Sequence, residues 1–372
     1  MKIAYIATKG MPLGGGIEKF TEEVGARLVK RGHKITAYAM KHYGAKNGYY
    51  KGMKIKLIPS VKYRSLEKIT ASLNATLTEC LEGNAEIYHF HAFGPAMFCF
   101  IPRLLGRRVV VQGHGIEWKR SKWGRFIKSI LKLTEYPSIK FPNIVTVVSK
   151  VQKEYLKKRY GIESIHIPPG VNPPIMRKPD IIKKFGLNGK DYILFAARLV
   201  REKGLHYLIE AYLRLKTDLK LVVAGGAENE ESYKSQIYLM AKKYDKLIFT
   251  VFISGELLYE LFSNCYIFVL PSEVEGLPIA LLEAMSYGNC CLVSDIPENI
   301  EAISNYGYTF KNRDVSDLVN KLEFLIKHPE AVNSINEFAK EYVLQNFSWD
   351  TIAAKFEKLY TNLLEKSHLK KD

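Results

Sequence analysis

The sequence predicts an α/β chain built as two doubly wound, Rossmann-like parallel-sheet domains in succession. Three observations carry this. Short β-rich apolar runs alternate with amphipathic stretches along most of the chain, and the alternation stops at a proline-rich stretch near the middle and then restarts. The length of 372 residues exceeds one ordinary core and suits two, at roughly 100–200 residues per domain.

In the first half the apolar runs are KIAYIAT, KITAYAM, KIKLI, EIYHF, RVVVQG and NIVTVVS, with helices expected from about Ile17 and over Leu66 to Leu81. Strands that alternate with helices must return by right-handed crossovers, which makes the sheet parallel. IPPGVNPPIMRKP, from Ile167 to Pro179, holds five prolines and is the expected hinge. DYILFAA, LKLVVAG, LIFTV, CYIFVL and CCLVSD then supply a second set of strands, with helices expected from Gly204 and over Glu231 to Lys243. Beyond Lys311 the pattern is mainly helical, and FSWDTIAAKFEKLYTNLLEK reads as a closing amphipathic helix with Ser348 as its N-cap. The expected boundaries are 1–168, 175–345 and 346–372. Ligands of such sheets bind at the carboxyl ends of the strands, so a cleft between the facing domains is the expected site.

A composition that is 47% hydrophobic and 25% charged, without repeats, excludes a disordered or fibrous chain. No apolar run reaches the roughly 18 residues of a membrane span, since the best, FHAFGPAMFCFIPRLLG, contains His91, two prolines and Arg103. The opening MKIAYIAT suits a first strand better than a secretion signal, which leads to an expected cytosolic location. Five cysteines without CxxC spacing read as reduced, mostly buried thiols. Residues 1–172 carry 30 Lys and Arg against 11 Glu and no Asp, while residues 173–372 carry 25 against 27 acids. The whole basic excess lies in the first half, as a polyanion or an anionic membrane face would require.

In PSEVEGLPIALLEAMSYG, Pro271 ends a buried strand, Gly276 permits a tight loop and Pro278 suits a first helical turn. Glu275 then sits in the loop and Glu283 about one and a half turns into the helix. Two carboxylates flanking a helix N-terminus can hold hydroxyls at the two ends of a ligand, while Gly276, Leu277 and Pro278 bring helix N–H groups to its phosphates. A helix cap at Glu275 and a solvated Glu283 would fit the same spacing. ARLVREKG places Arg198 and Lys203 after a strand, where they could neutralise a diphosphate or simply flank a helix. Gly14, Gly15 and Gly16 open the first helix and either admit an anion to the backbone or make a tight turn. His114 leaves a buried strand between two glycines, placed to touch a sugar or to bond a carbonyl. Glu117, Trp118, Lys119, Arg120, Lys122, Trp123 and Arg125 begin a basic stretch interleaved with aromatic and aliphatic residues, which suits either an anionic interface or a solvated face over a core stripe.

Taken in order, GGGIE, HGIEW, RLVREKG, PSEVEGLPIALLEAM and the FSWD helix resemble the retaining glycosyltransferase family four, of the GT-B fold, over nearly the whole chain. HGIEWKRSKWGRF is similar to bacterial rhamnosyltransferase-type members. The resemblance implies an acceptor-binding N-terminal domain, a nucleotide-sugar-binding C-terminal domain, and a last helix that returns to the former. It implies Arg198 and Lys203 on the donor diphosphate, Glu275 on the sugar hydroxyls, Glu283 on the ribose, His114 near the sugar, and the glycine loop by the phosphate and acceptor. The activity so implied moves a hexose or deoxyhexose, rhamnose favoured, from a nucleotide-diphosphate sugar to a polyprenyl-diphosphate-linked saccharide or glycan. Glucose, galactose and N-acetylhexosamine donors stay open. No Asp-x-Asp pair occurs, so no metal and no other cofactor is expected. The enzyme is expected to lie on the inner face of the cell membrane, held to anionic lipid. A basic nucleic-acid binder is the rival of another class, but no nucleic-acid motif appears, and no nucleic-acid partner is expected. A catalytically silent partner subunit is a further rival, and the intact Arg198, Lys203, Glu275 and Glu283 speak against it.

Overall fold

A computed structural model describes the chain apart from residues 13–14, 45, 64–65, 121–123, 227–230, 243, 251–252 and 369–372. It divides into two units: Met1–Gly170 with Trp349–Asp372, and Val171–Ser348.

The N-terminal unit contains strands β1 (Lys2–Ile6), β2 (Lys34–Met40), β3 (Gly48–Tyr50), β4 (Met53–Ile58), β5 (Ile87–His91), β6 (Arg108–Gly113), β7 (Ile144–Val147) and β8 (Ile165–His166). Their order across the sheet is β3-β4-β2-β1-β5-β6-β7-β8. All neighbours are parallel except the β3–β4 hairpin. Ile3 sits beside Ile35 on one flank and Ile87 on the other. Central strands covered on both faces read as unbroken apolar runs, and β5 is buried at every position. Ile6, Tyr38, Phe90, Val111 and Leu156 form part of the core below it.

The closing helix Trp349–His368 packs on the first helix, Gly16–Lys30, within this same unit. Trp349 and Phe356 meet Phe20 edge-on at 5.5 and 5.8 Å. Arg27 donates to Asp350 at 2.9 Å and Arg31 to Glu357 at 2.7 Å. The last helix therefore does return to the N-terminal unit, because its buried aromatic stripe has its counterpart there.

The C-terminal unit contains β9 (Tyr192–Ala196), β10 (Lys220–Ala224), β11 (Leu247–Phe249), β12 (Ile267–Leu270), β13 (Cys290–Ser294) and β14 (Tyr308–Phe310), all parallel. The order is β11-β10-β9-β12-β13-β14, so the direction of winding reverses between β9 and β12. In the N-terminal sheet it reverses between β1 and β5. Such reversal points open a crevice beyond the strand ends. Ala7 and Ala92, the residues that leave β1 and β5, both hold left-handed backbone (φ 74° and 85°). For a residue with a Cβ that conformation is strained, and strain of this kind gathers where a chain must turn sharply at a working surface.

Among the described residues no helix is long and apolar enough to cross a membrane. Cys99, Cys265, Cys290 and Cys291 are buried, Cys80 is partly so, and all five are free thiols.

Candidate functional site

In the C-terminal unit, the loops leaving β9 and β12 lie side by side at the reversal point. The β9 loop makes a tight turn, Arg201–Lys203, closed by Gly204 in left-handed backbone (φ 69°). A Cβ at 204 would overlap the carbonyl oxygen of Pro271, so only glycine lets the two loops approach this closely. Glu273 N–H donates to the Glu202 carbonyl at 2.8 Å and ties them together.

That junction brings Lys203 Nζ to 2.5 Å from Glu275 Oε1. The side chains are 15% and 7% exposed, so the pair is largely withdrawn from water. Arg198 precedes Lys203 on the same loop, half-exposed, with Nη2 3.9 Å from Glu202 Oε1. Two further acids steady the arrangement. Glu202 is buried below Arg198, and Glu273, with a buried carboxylate, accepts from Tyr207 Oη at 2.9 Å and Arg313 Nη2 at 2.6 Å. Behind them, Ser294 Oγ donates to the Ser272 carbonyl at 2.5 Å and Asn299 Nδ2 to the Ser294 carbonyl at 3.1 Å, which fixes the start of the β12 loop.

The loop continues through Gly276, Leu277 and Pro278 into the helix Ile279–Ser286. Leu277 and Pro278 are buried and pin the entry. Pro278 is the N-cap, no side chain caps the helix, and no acid lies in its first turn. Leu281 and Leu282 N–H both donate to the Pro278 carbonyl at 3.2 Å, while those of Ile279 and Ala280 come before any intrahelical acceptor, which leaves a positive dipole end and donors suited to an anion. Glu283 is the half-buried fifth residue of this helix, and its side chain or backbone is engaged with neighbours. Arg198, Lys203, Glu275, Gly276, Leu277, Pro278 and Glu283 thus all belong to the two loops and the helix at one reversal point.

Gly15, Gly16 and His114 belong to the N-terminal unit; Gly14 lies outside the described residues. Gly15 caps the first helix with extended backbone. A Cβ there would strike the Glu18 carboxylate, whose Oε1 accepts from Lys9 N–H at 3.1 Å. This helix start is therefore faced by an acid, unlike the one at Pro278.

His114 follows β6 and is half-buried, with Phe20 edge-on at 5.1 Å. Its Nε2 lies 3.4 Å from Nδ1 of His91, and His89 Nδ1 lies 2.6 Å from the Tyr360 hydroxyl. Burial pushes all three imidazoles down, and each also feels a neighbouring histidine. His114 falls to about 3, with Lys68 a further cause. All three are neutral at neutral pH. Sequence reasoning misses His89 and His91, because the alternation in IYHFH signals only a strand.

Of the basic stretch, Glu117 and Lys119 bound a short turn and Arg120 Nη2 pairs with Glu117 at 3.4 Å. Trp118, for which the sequence leaves either an interface or a core stripe open, is half-buried and partnered within the fold. Its Nε1 donates to Tyr155 Oη at 3.1 Å and the Lys132 ammonium sits 4.5 Å above its ring. The indole finds both a hydrogen-bond acceptor and a cation within the fold, and both would be lost on turning outward. Arg125 is exposed at the start of the helix Arg125–Lys140, and Lys122 and Trp123 lie outside the described residues. Among the described residues no group of three or more His, Cys, Asp or Glu is arranged to hold a metal ion.

Residues 14–174 match the family described as Glycosyltransferase Family 4, and residues 177–342 match Glycosyl transferases group 1. The chain is of the GT-B, family-four glycosyltransferase type. Sucrose-phosphate synthase from Thermosynechococcus elongatus superposes on this GT-B chain with a TM-score of 0.85 at 18% identity, covering 98% of the chain and 99% of that structure. The N,N'-diacetylbacillosaminyl-diphospho-undecaprenol alpha-1,3-N-acetylgalactosaminyltransferase of Campylobacter jejuni is 30% identical over 185 residues. That stretch covers 49% of the chain and spans about half, 48%, of the relative's length. A GDP-mannose-dependent alpha-(1-6)-phosphatidylinositol monomannoside mannosyltransferase of Mycolicibacterium smegmatis is 24% identical over 95% of the chain and 97% of its own length. Within this GT-B chain the group 1 match contains Arg198, Lys203, Glu275 and Glu283, and the family 4 match contains the glycine loop, His114 and the basic stretch.

Proposed function

We propose that the protein is a retaining glycosyltransferase that moves a hexose or deoxyhexose from a nucleotide-diphosphate sugar to a lipid-linked saccharide or glycan. The observation that carries this is the Lys203–Glu275 pair, with Arg198 on the same loop as Lys203, and an uncapped helix start at the reversal point of the C-terminal sheet. In a nucleotide sugar the anomeric carbon is bonded directly to phosphate. A cation and a carboxylate 2.5 Å apart therefore match a ligand whose anionic oxygens and sugar hydroxyls are adjacent. Arg198, Lys203 and the helix N–H groups would stabilise the departing diphosphate, Glu275 would accept from sugar hydroxyls, and Glu283 from the ribose diol.

The acceptor hydroxyl would attack from the face that the diphosphate leaves, with a diphosphate oxygen taking its proton, so that configuration is retained without a protein nucleophile. His114, neutral at working pH, would serve the sugar as a hydrogen-bond partner rather than as an acid. No metal is assigned a role. A chelator that abolishes turnover, with recovery on adding manganese, would contradict this.

Rhamnose is the favoured sugar on the stretch HGIEWKRSKWGRF. The named relatives transfer N-acetylgalactosamine and mannose, so their donors belong in the same trial. The diphospho-undecaprenol acceptor in the first relative's name supports a lipid-linked acceptor, and the N-terminal basic excess supports attraction to an anionic membrane face. The deciding experiment is nucleotide release from dTDP-, UDP- and GDP-sugars by wild type and Glu275→Ala. One donor should be turned over and the variant should lose it; no release from any donor would overturn the proposal.

A further inference from the structure

The helix Arg125–Lys140 carries apolar side chains both towards the core and towards solvent. Its buried residues are Thr134, Glu135, Ser138 and Ile139, the last within the core of the unit. Glu135 accepts from the hydroxyls of Tyr155 at 2.8 Å and Tyr160 at 2.7 Å, and Ser138 Oγ donates to the Phe93 and Thr134 carbonyls. Its outward face is apolar: Phe126 is 78% exposed, Leu133 74%, and Ile130 and Tyr136 are exposed too. At 100° per residue, Phe126, Ile130 and Leu133 share an arc of about 60°, with Tyr136 about 60° further round. A surface helix ordinarily turns its charges to water, so an exposed stripe of aromatic and aliphatic groups calls for an apolar partner.

The apolar face continues past the helix end. Arg103 Nε donates to the Phe141 carbonyl at 2.9 Å, and Phe100 and Phe141 rings lie 6.0 Å apart. Phe141 is thus held against the segment that carries Leu104, and both residues are exposed. Arg103 at the far end and the exposed Arg125 and Lys140 at the two helix ends border the face. Between residues 100 and 153 the only acids are Glu117, paired with Arg120, and Glu135, buried. An apolar stripe with a cationic border and no exposed acid complements one surface chemistry, an anionic bilayer, whose headgroups meet the cations and whose acyl boundary meets the stripe. A second copy of the chain would bring two borders of the same sign together.

We infer that Phe126, Ile130 and Leu133, continued by Leu104 and Phe141, insert into the acyl boundary of an anionic membrane and give the protein a salt-resistant hold that charge alone could not. The inference rests on the reading of a lipid-linked acceptor and makes the attachment partly hydrophobic. Screening by salt weakens the cationic border and leaves the inserted side chains in place.

The test is flotation of the full chain with vesicles of phosphatidylcholine alone and of phosphatidylcholine mixed with phosphatidylglycerol, at low and high salt. Wild type should float with the mixed vesicles and keep a substantial share of that binding at high salt. F126S/L133S should fold normally by circular dichroism, keep its donor hydrolysis, and bind about tenfold less or weaker still at both salt levels. The indole emission that Phe126→Trp adds to the wild-type spectrum should be quenched by bromine-labelled acyl chains. Equal flotation of wild type and F126S/L133S, or added emission that the bromines leave unquenched, overturns the inference. So does a wild-type dimer that F126S/L133S dissociates, which would make this face an interface between copies. Donor hydrolysis is read separately, so its failure would sink the enzymatic reading and leave the flotation result standing.

Discussion

Breaking the Lys203–Glu275 pair should destabilise the C-terminal unit by more than either residue's own packing. The charges are 2.5 Å apart, with the carboxylate only 7% exposed. Lys203→Met strands that carboxylate without its cation, for which about 3 kcal/mol is the expected cost, at the lower end for a buried pair because the lysine keeps some water. Glu275→Gln leaves a largely withdrawn ammonium facing an amide and should cost about 1–2 kcal/mol. The double variant removes both charges together, so its cost should fall below the sum by about 2 kcal/mol. At roughly 2–4 °C per kcal/mol for a unit of this size, Lys203→Met should lower the melting temperature by about 6–12 °C. The assay is thermal and denaturant unfolding of the full chain, following the transition that moves between variants, since two units need not unfold together. Costs that add to within about 0.5 kcal/mol would refute a coupled pair and with it the junction on which the donor reading stands.

Arg198→Ala should lower kcat/KM for the accepted donor by about 10²–10³-fold, as loss of one charged donor to a departing phosphate does elsewhere; unchanged turnover would remove Arg198 from the site. His89, His91 and His114 bind protons less readily folded than unfolded, so they favour the folded state above the unfolded pKa of about 6.5 and lose that contribution as pH falls towards 3. Stability should therefore fall on acidification over that window, and His91→Asn should flatten the slope by up to about 1.4 kcal/mol per pH unit; parallel slopes in urea unfolding would count against it. Trp349→Ala, which empties the space against Phe20, should cost the N-terminal unit about 3–5 kcal/mol by the same unfolding measurement, and a loss below about 1 kcal/mol, the smallest core effect, would show that the closing helix contributes little there.

The doubled α/β architecture was legible because strands buried on both faces, such as β9 and β12, are written as unbroken apolar runs. The site was legible as motifs and not as a constellation. Lys203 and Glu275 are 72 positions apart, and only the strand order that seats β9 beside β12 makes them neighbours. Glu202 and Glu273 carry no signal in the sequence, because their importance comes from what lies above and beside them. The basic stretch shows the limit most clearly. Composition announced cations and aromatics, but Trp118 turns inward to Tyr155 while Phe126 turns outward, a distinction set by partners on another helix.

The helix that completes the N-terminal unit is translated only after the whole of the C-terminal unit. During synthesis the first unit must wait with Phe20 lacking Trp349 and Phe356 and with Tyr360 not yet beside His89, while the second can already close upon its own core. Nascent chains stalled short of Trp349 should thus be prey to chaperones at their oldest half and resist protease at their newest, the reverse of the usual order for a protein emerging from the ribosome.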